Sequence, residues 1–508
     1  MNEPQVYQVT ADLMPALTEA ERRDFNELLR VWQKKLARNH LRNRYYNGKN
    51  RLKDLGIAIP PALTSVETVV GWPAKAVDAL AVRSIFDGFT FKNEDISEIL
   101  RENDFNLMYS EAVTSELINS CAFITLSEGR DDEPQILINF YSATCAAALW
   151  DVRRKRIKCG FTVADYEDRA DGQCVPLQVN FYTNDAIIEC VRAEETDRWA
   201  VNRIPSAMGR PLMEPLRYRP ALNRPFGKSR ISRAVMSITD SAVRTCLRAE
   251  VSAELYTSPQ RYLLGADEST FGGYDSDIDS RAKKVEAYLG TIFAITPNEN
   301  GDIPQYGQLA AMSMQPHTDY MRSLAARFAG ETGIPISSLG VIHDNPASAE
   351  AMRVASEDLI IEAEALNEVN GRALENIARM IIALRDGDTF ADVRATSVRA
   401  EFKNPMRPSI ASQTDAVMKQ ANLMGWFVEE SDALAITLPE LGYNESQTEQ
   451  LINAKESYEA RQALMYALQQ EEAASGSADD EHGSDLPQQQ GGGVESGAAE
   501  GADDAGEV

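Results

Sequence analysis

Three stretches of the sequence hold chemically capable residues at spacings that chemistry uses. The first is "NRPFGKSRIS", Asn223 to Ser232, where Gly227-Lys228-Ser229 spells the end of a phosphate-cradling loop. That loop needs a glycine five positions before the Gly-Lys pair, and a buried strand leading in, so that backbone amides can wrap phosphates unobstructed. Leu222 occupies the glycine position, and Pro220 and Pro225 in the approach cannot donate to a strand ladder. The local alternative is expected, in which Gly227 turns the chain and Ser229 caps the next helix. The second is "DSDIDSRAKKVE", with Asp275, Asp277, Asp279 and Glu286 at the first, third, fifth and twelfth places of a calcium loop. Ser280 stands where that loop requires glycine, and acids just before a helix also serve as its cap, which is the expected role. The third is a run of cations, Arg203, Arg210, Arg217, Arg219, Arg224, Lys228, Arg230 and Arg233. It reads as a nucleic-acid patch or, preferred beside an acidic body, as a surface that pairs with acids of a neighbouring subunit.

No catalytic constellation accompanies these stretches. His40, His317, His343 and His482 are isolated, and neither a C-x-x-C pair nor a G-x-S-x-G elbow occurs. No catalytic residue, cofactor or metal is therefore expected. Cys121, Cys145, Cys159, Cys174, Cys190 and Cys246 read as buried, reduced thiols.

At 508 residues the chain exceeds one compact core, so two or more domains or an elongated multi-part subunit are expected. The formal net charge is -26, and residues 471–508 contain eleven acids and no Lys or Arg, which leaves -15 on the remainder. Affinity for nucleic acid comes from cations releasing counterions, so contact with DNA should be weak or transient. No basic start followed by an apolar block, and no run of 18 apolar residues, is present, so neither a signal peptide nor a membrane span is expected.

The elements that must position these residues begin with a helix from Thr18, where Thr18 and Glu21 form a capping box and Phe25, Leu28, Trp32, Leu36 and Tyr45 follow at helical spacings up to Asn47-Gly48. Helical patterns follow around 65–86, interrupted at Gly71-Trp72-Pro73, and around 93–120. From Ala122 to Ile204 short β-branched runs such as "QILINFY" and "LQVNFYT" predict an antiparallel meander, ended by a Pro- and Arg-rich connector, 205–224. Ile231, Val235, Ile238, Ala242, Cys246, Ala249, Ala253 and Tyr256 predict one amphipathic helix of about 40 Å. A small mixed unit spans 260–315, with strands at "RYLLG" and "TIFAITP", a helix at "SRAKKVEAYLG" and a flexible "NENGDIPQYG". A second helix follows from Pro316 to Glu331.

The longest pattern runs from Pro346 to about residue 388, with a bend expected at Asn370-Gly371. "VRAEFKN" reads as a strand, 409–470 as a small helical bundle, and the acidic, Gly-rich remainder as disordered. The fold class expected is α+β, an elongated multi-part subunit with long helices and an antiparallel meander.

The order of these parts resembles the portal proteins of tailed bacteriophages, in the siphophage type. "RNRYYNGKN", "NRPFGKSRIS" and "NPASAEAMRVASEDL" stand in the family's order and spacing, and the resemblance covers roughly residues 20–470. It implies a flexible N-terminus (1–15), a wing (16–228), a first stem helix (229–257), a clip (258–315) and a second stem helix (316–332). A tunnel loop (333–345), a wing spine helix with return strand (346–408), a crown (409–470) and the acidic tail (471–508) complete it. The resemblance further implies a ring, usually of twelve subunits, at one capsid vertex, through which double-stranded DNA is packaged and ejected. Its implied partners are the terminase large subunit, major capsid protein, scaffold and head-to-tail adaptor, with no membrane. The subunit would pass through the host cytoplasm before assembly into the virion. Within the tunnel loop, Ile336, Ser337, Ser338, Leu339, Gly340, Val341, Ile342, His343, Asp344 and Asn345 are the residues expected to face DNA. Another phage structural protein, scaffold or minor capsid, is the alternative class, and an NTPase a remoter one.

Overall fold

The computed structural model describes residues 17–50, 68–91, 94–130, 132–168, 174–192, 199–257, 261–264, 303, 305–308, 313–340, 354–406, 415, 417–419, 431–440 and 445–476. Contacts divide the chain into two compact units, residues 1–406 and 407–508.

In the first unit, α1 (Glu19–Tyr46) starts at the capping box of Thr18 and Glu21. Its apolar stripe, Phe25, Leu28, Leu29, Trp32 and Leu36, is buried with Phe161, Val179, Phe181 and Ile188 of a sheet. Phe25 and Phe181 meet edge to face at 5.4 Å, and the Trp32 indole N–H donates to the Thr144 carbonyl at 2.8 Å. Helix α2 (Trp72–Ala81) begins at Gly71 with Pro73 in its first turn, so the Gly-Trp-Pro triplet starts a helix instead of interrupting one. Next come β1 (Phe86–Phe91), the short α3 (Ser97–Glu102) and α4 (Phe105–Asn119).

The expected meander is two sheets. Strands β4 (Ala146–Asp151), β5 (Arg156–Asp168), β6 (Cys174–Tyr182), β7 (Ala186–Arg192) and β8 (Trp199–Pro205) form a true antiparallel meander beneath α1. Strand β2 (Cys121–Glu128) instead lies between β3 (Ile136–Ser142) and β9 (Met213–Arg217), and β9 falls inside the connector expected to be irregular. Pro215 hid it. The Leu212 carbonyl accepts from Leu126 of β2 and the Tyr218 N–H donates to Ser120 just before it, so alternate residues face that strand and the missing N–H of Pro215 points away from it.

Helix α5 (Arg233–Thr257) and helix α6 (Gln315–Thr332) pack as an antiparallel pair. Ser232 meets Glu331 at 3.0 Å at one end, and Ser252 meets His317 at 3.4 Å toward the other. Past this pair, β10 (Arg261–Leu264) and β11 (Gln305–Gln308) pair antiparallel, so the last part of the stretch expected to be flexible is a strand. The calcium-like residues 275–286, "TIFAITP" and "SRAKKVEAYLG" lie outside the described residues.

The spine, α7 (Glu357–Asp386), follows Ser356 and buries Leu359, Leu366, Ala373, Ile377 and Met380; Pro346 lies outside the described residues. It stays α-helical through Asn370-Gly371. Gly371 makes room for a neighbour, since a Cβ there would stand 3.3 Å from the Phe402 ring. A short α8 (Phe390–Val393) leads to the return strand β12 (Val398–Phe402), paired with β1. Helices with purely antiparallel pairings make this an α+β unit.

The second unit contains α9 (Ser431–Glu440) and α10 (Glu445–Gly476). Helix α10 extends into the segment expected to be a disordered tail, through Gly476; residues 477–508, like 1–16, lie outside the described residues. No described helix is long and apolar enough to cross a membrane.

Candidate functional site

The Gly-Lys-Ser corner turns out to be a mechanical junction. Ser229 does not cap α5. Its hydroxyl is buried and donates to the Ile118 carbonyl at 2.6 Å, while the Ile231 N–H donates back to it at 3.0 Å. The cap is Ser232, whose Oγ accepts from the Val235 N–H at 3.1 Å. Gly227 has φ +73°, and a Cβ on it would sit 2.1 Å from the Tyr218 carbonyl oxygen, so glycine is required there by both backbone angle and space. Lys228 is exposed, and its N–H donates to Tyr218 O at 2.9 Å.

One residue further on, Arg230 ties four helices and the Tyr218 corner together. Its side chain is 3% exposed. Nε donates to the Ala76 carbonyl of α2 at 2.5 Å, one terminal nitrogen to the Tyr218 hydroxyl at 3.0 Å, and the other to the Thr332 carbonyl at the end of α6 at 2.7 Å. The guanidinium pairs with Glu362 of α7 at 2.5 Å, and its own N–H bonds the Leu117 carbonyl of α4 at 2.8 Å. Glu362 also pairs with Arg219 at 2.9 Å and accepts from the Tyr218 hydroxyl. Burial pushes the Tyr218 phenol up to about 12, with Arg230 opposing and Glu362 adding to the shift. A cleft of about 500 Å³ beside this network is lined by Lys228, Ser232, Glu331 and Asp358 among others. Opposite charges lining it cancel much of one another, which suits a structural joint better than a ligand site.

The cation run was expected to meet acids of a neighbouring subunit, yet much of it is satisfied inside the chain. Arg203 pairs with Glu21 at 2.7 Å, Arg210 with buried Glu214, and Arg219 and Arg230 with Glu362, while Arg217 lies over the Trp150 ring at 4.9 Å. The reason is topological: β9 carries Glu214 beside Arg210, and the spine delivers Glu362 to the corner.

A second buried polar cluster sits under the middle of the spine. Asn370 donates to Glu116 Oε2 at 2.8 Å and to the Tyr109 hydroxyl at 3.4 Å, and accepts the Arg217 N–H at 3.3 Å. Glu116 Oε1 and Arg217 Nε are both buried without a hydrogen-bond partner. Burial pushes the Glu116 carboxyl up to about 8, against the pull of Asn370 and Arg217. Its folded-state value therefore lies above its unfolded one, and the unfolded chain releases this proton first as pH rises. Stability from this group is full below about pH 4.5 and is lost progressively up to about pH 8. Glu116→Gln is expected to melt close to the wild type at pH 5 and to be more stable by about 4 kcal/mol at pH 9. Parallel melting curves for the two proteins across that range would show that Glu116 is not the titrating group.

The residues expected to face DNA divide at Gly340. Ile336–Leu339 form a 3-10 turn, with Leu339 buried in the main core and Ile336 packed against it, while Ser337, Ser338 and Gly340 are exposed. Val341, Ile342, His343, Asp344 and Asn345 lie outside the described residues. Sequence reading missed Glu362 and Glu116, although a signal existed. Each is an acid inside an apolar helical stripe, Glu362 between Leu359 and Leu366, Glu116 between Val113 and Leu117. Among the described residues no cluster of His, Cys, Asp and Glu could hold a metal ion. Cys121, Cys159 and Cys190 are free and buried, which pushes each thiol up to about 12.

Comparison with known proteins supplies what the joint alone does not. The portal protein of Mycobacterium phage L5 is 28% identical over 392 residues, covering 74% of this chain and 77% of that protein. The portal protein of Mycobacterium phage D29 is 29% identical over the same length and shares. Among solved structures, a chain of the native gene transfer agent virion aligns with 72% of this chain and 89% of its own, at 10% identity and a TM-score of 0.42. A chain from the neck of that particle, with C12 symmetry, gives the same coverage and identity at a TM-score of 0.41. These two likenesses are too loose to bear on residues. The family description "Phage portal protein, SPP1 Gp6-like" matches residues 26–431, from α1 through the body, both paired helices and the spine, and the chain belongs to that portal protein family.

Proposed function

We propose that copies of this chain assemble into a closed ring, twelve in the family's usual pattern, that forms the portal vertex of a phage capsid. Double-stranded DNA passes through the axis of this ring during packaging and ejection. The observation that carries the reading is the family match over residues 26–431, which takes in the whole helix pair and its junction with the spine. In this reading residues 16–228 are the wing, the α5/α6 pair is the stem, the segment between them is the clip, 346–408 the wing spine with its return strand, and 409–470 the crown. The Arg230 joint holds the stem to the wing and spine, so that loads on the clip reach the body through a buried ion pair instead of a flexible linker.

The clip would receive the terminase large subunit during packaging and the head-to-tail adaptor afterwards, while the wing and crown face the major capsid protein and scaffold. ATP hydrolysis belongs to the terminase, and this chain is a conduit without enzymatic activity. Its place is the capsid vertex of the virion, reached from the host cytoplasm. A scaffold or minor capsid protein would instead give heterogeneous oligomers without an axial channel.

Residues 333–345 act as the tunnel loop, with Ile334 and Leu339 as anchors in the core and Gly340 as the start of the DNA-facing part. Deleting Val341 to Asn345 leaves those anchors in place. Phage carrying the deletion are expected to assemble intact rings but to lose titre through failed packaging or DNA retention. A normal titre would remove the loop from the DNA path.

A further inference from the structure

The electrostatics of α1 do not follow the net charge of the chain. From Leu28 through Lys53 there is no Asp or Glu, in a protein of formal charge -26. Lys34, Lys35 and Arg38 are exposed, Lys34 and Arg38 on the side of α1 away from the buried Leu28, Trp32 and Leu36, and Lys35 on the flank of that stripe. Lys34 and Arg38 are one helical turn apart, and Lys35, Arg38 and Arg42 continue the adjacent row. Arg42 is partly buried and held by Asn39 Oδ1 and the Asn119 carbonyl, each at 3.3 Å. Arg224 joins from the connector loop, whose tip is closed by reciprocal backbone bonds between Ala221 and Arg224 at 2.8 and 3.1 Å.

These cations repel one another. Burial and then Arg38, Lys34, Arg42 and Arg224, in that order, hold the Lys35 ammonium below its usual range, and burial and Arg38 push the Arg42 guanidinium down to about 10. Among the described residues none of the five makes an ion pair, whereas Arg130, Arg203 and Arg385 on the same unit each hold a carboxylate. A like-charge cluster of this kind costs folding stability, and a polyanion recovers that cost on binding.

We propose that this face, Lys34, Lys35, Arg38, Arg42 and Arg224, binds the phosphate backbone of double-stranded DNA at a site separate from the tunnel loop. Charge density selects the partner. Lys35 to Arg42 spans about 10 Å of helix, and duplex DNA presents about one charge per 1.7 Å, so roughly six phosphate charges match the five cations. The most acidic segment of the chain itself, 471–508, holds eleven acids, which when extended is about one charge per 11 Å. Even its densest run, Asp479-Asp480-Glu481, brings three acids to five cations, fewer than the duplex supplies. The overall acidity does not forbid the contact, because a phosphate responds to charges within a Debye length of about 8 Å and not to the whole subunit. The inference deepens the portal reading by giving DNA a second contact, and it rests on that reading only for the DNA's source.

The test is fluorescence anisotropy of a labelled duplex of about three turns with the purified full chain over a salt series. The wild type is expected to bind at low salt, with log K falling against log salt at a slope of about -4. The variant Lys34→Gln/Lys35→Gln/Arg38→Gln/Arg224→Gln changes exposed positions only, and should bind at least about tenfold more weakly with a slope nearer -1. Neutralising the exposed turn after β4, as Arg153→Gln/Arg154→Gln/Lys155→Gln, should leave slope and affinity close to wild type. Equal losses in both variants would mean that only net charge was read, and the site would be wrong. So would a patch variant that binds DNA normally, or one that loses its oligomeric state while keeping DNA affinity, which would mark a subunit contact. A wild-type chain that binds DNA through this patch but forms no ring would overturn the portal reading and leave this site standing.

Discussion

Replacing Arg230 with methionine is expected to lower the stability of the 1–406 unit by about 3–5 kcal/mol, the usual cost of stranding one member of a buried ion pair. The substitution keeps most of the side chain's volume. It leaves Glu362, itself 9% exposed, with only Arg219, whose side chain is 64% exposed, and the Tyr218 hydroxyl. It also strips the Ala76 and Thr332 carbonyls of their donor. Arg230→Lys should recover little, because an ammonium cannot span α2, Tyr218, α6 and α7 with one rigid fork. The double variant Arg230→Met/Glu362→Gln should regain part of the loss, since the stranded charge is then gone. The check is the melting temperature, with limited proteolysis at the α5 and α6 junction as the local readout. An Arg230→Met protein that melts and digests like the wild type would contradict the joint.

Gly227→Ala is expected to cost about 3 kcal/mol or more, through a different mechanism. The left-handed φ of +73° is unfavourable for alanine, and the new Cβ would overlap the Tyr218 carbonyl oxygen. That oxygen accepts the Lys228 N–H at 2.9 Å, so moving it breaks the bond that closes the corner. Melting is expected to fall by roughly 3–5 °C. Lys228→Ala beside it changes an exposed side chain and should melt with the wild type. If Gly227→Ala were as harmless as Lys228→Ala, the corner would be a loop and not a fixed joint.

Local rules were legible in the sequence wherever one residue decided the outcome. Thr18 and Glu21 announce the start of α1, the apolar spacing of α5 and α7 announces two long helices, and Leu222 in place of glycine disposes of the phosphate loop. What was not legible depended on partners distant in sequence. Strand β9 reads as a broken connector because Pro215 is judged alone, and becomes a strand only when β2 is known to lie on its other side. Ser229 reads as a cap because the Leu117 and Ile118 carbonyls that hold it arrive from α4, more than a hundred residues earlier. Arg230 reads as one more surface cation because its acid, Glu362, lies in the spine. The basic face of α1 was legible throughout as an acid-free run, but the net charge of -26 drew the reading the other way.

A portal function requires that this chain make a ring. Electron microscopy of the purified full-length protein, negatively stained and classified without imposed symmetry, tests that most directly. The portal reading predicts end views of one uniform size with a single central hole, and subunit counts at or near twelve. Monomers, or oligomers of mixed size with no axial hole, would contradict it.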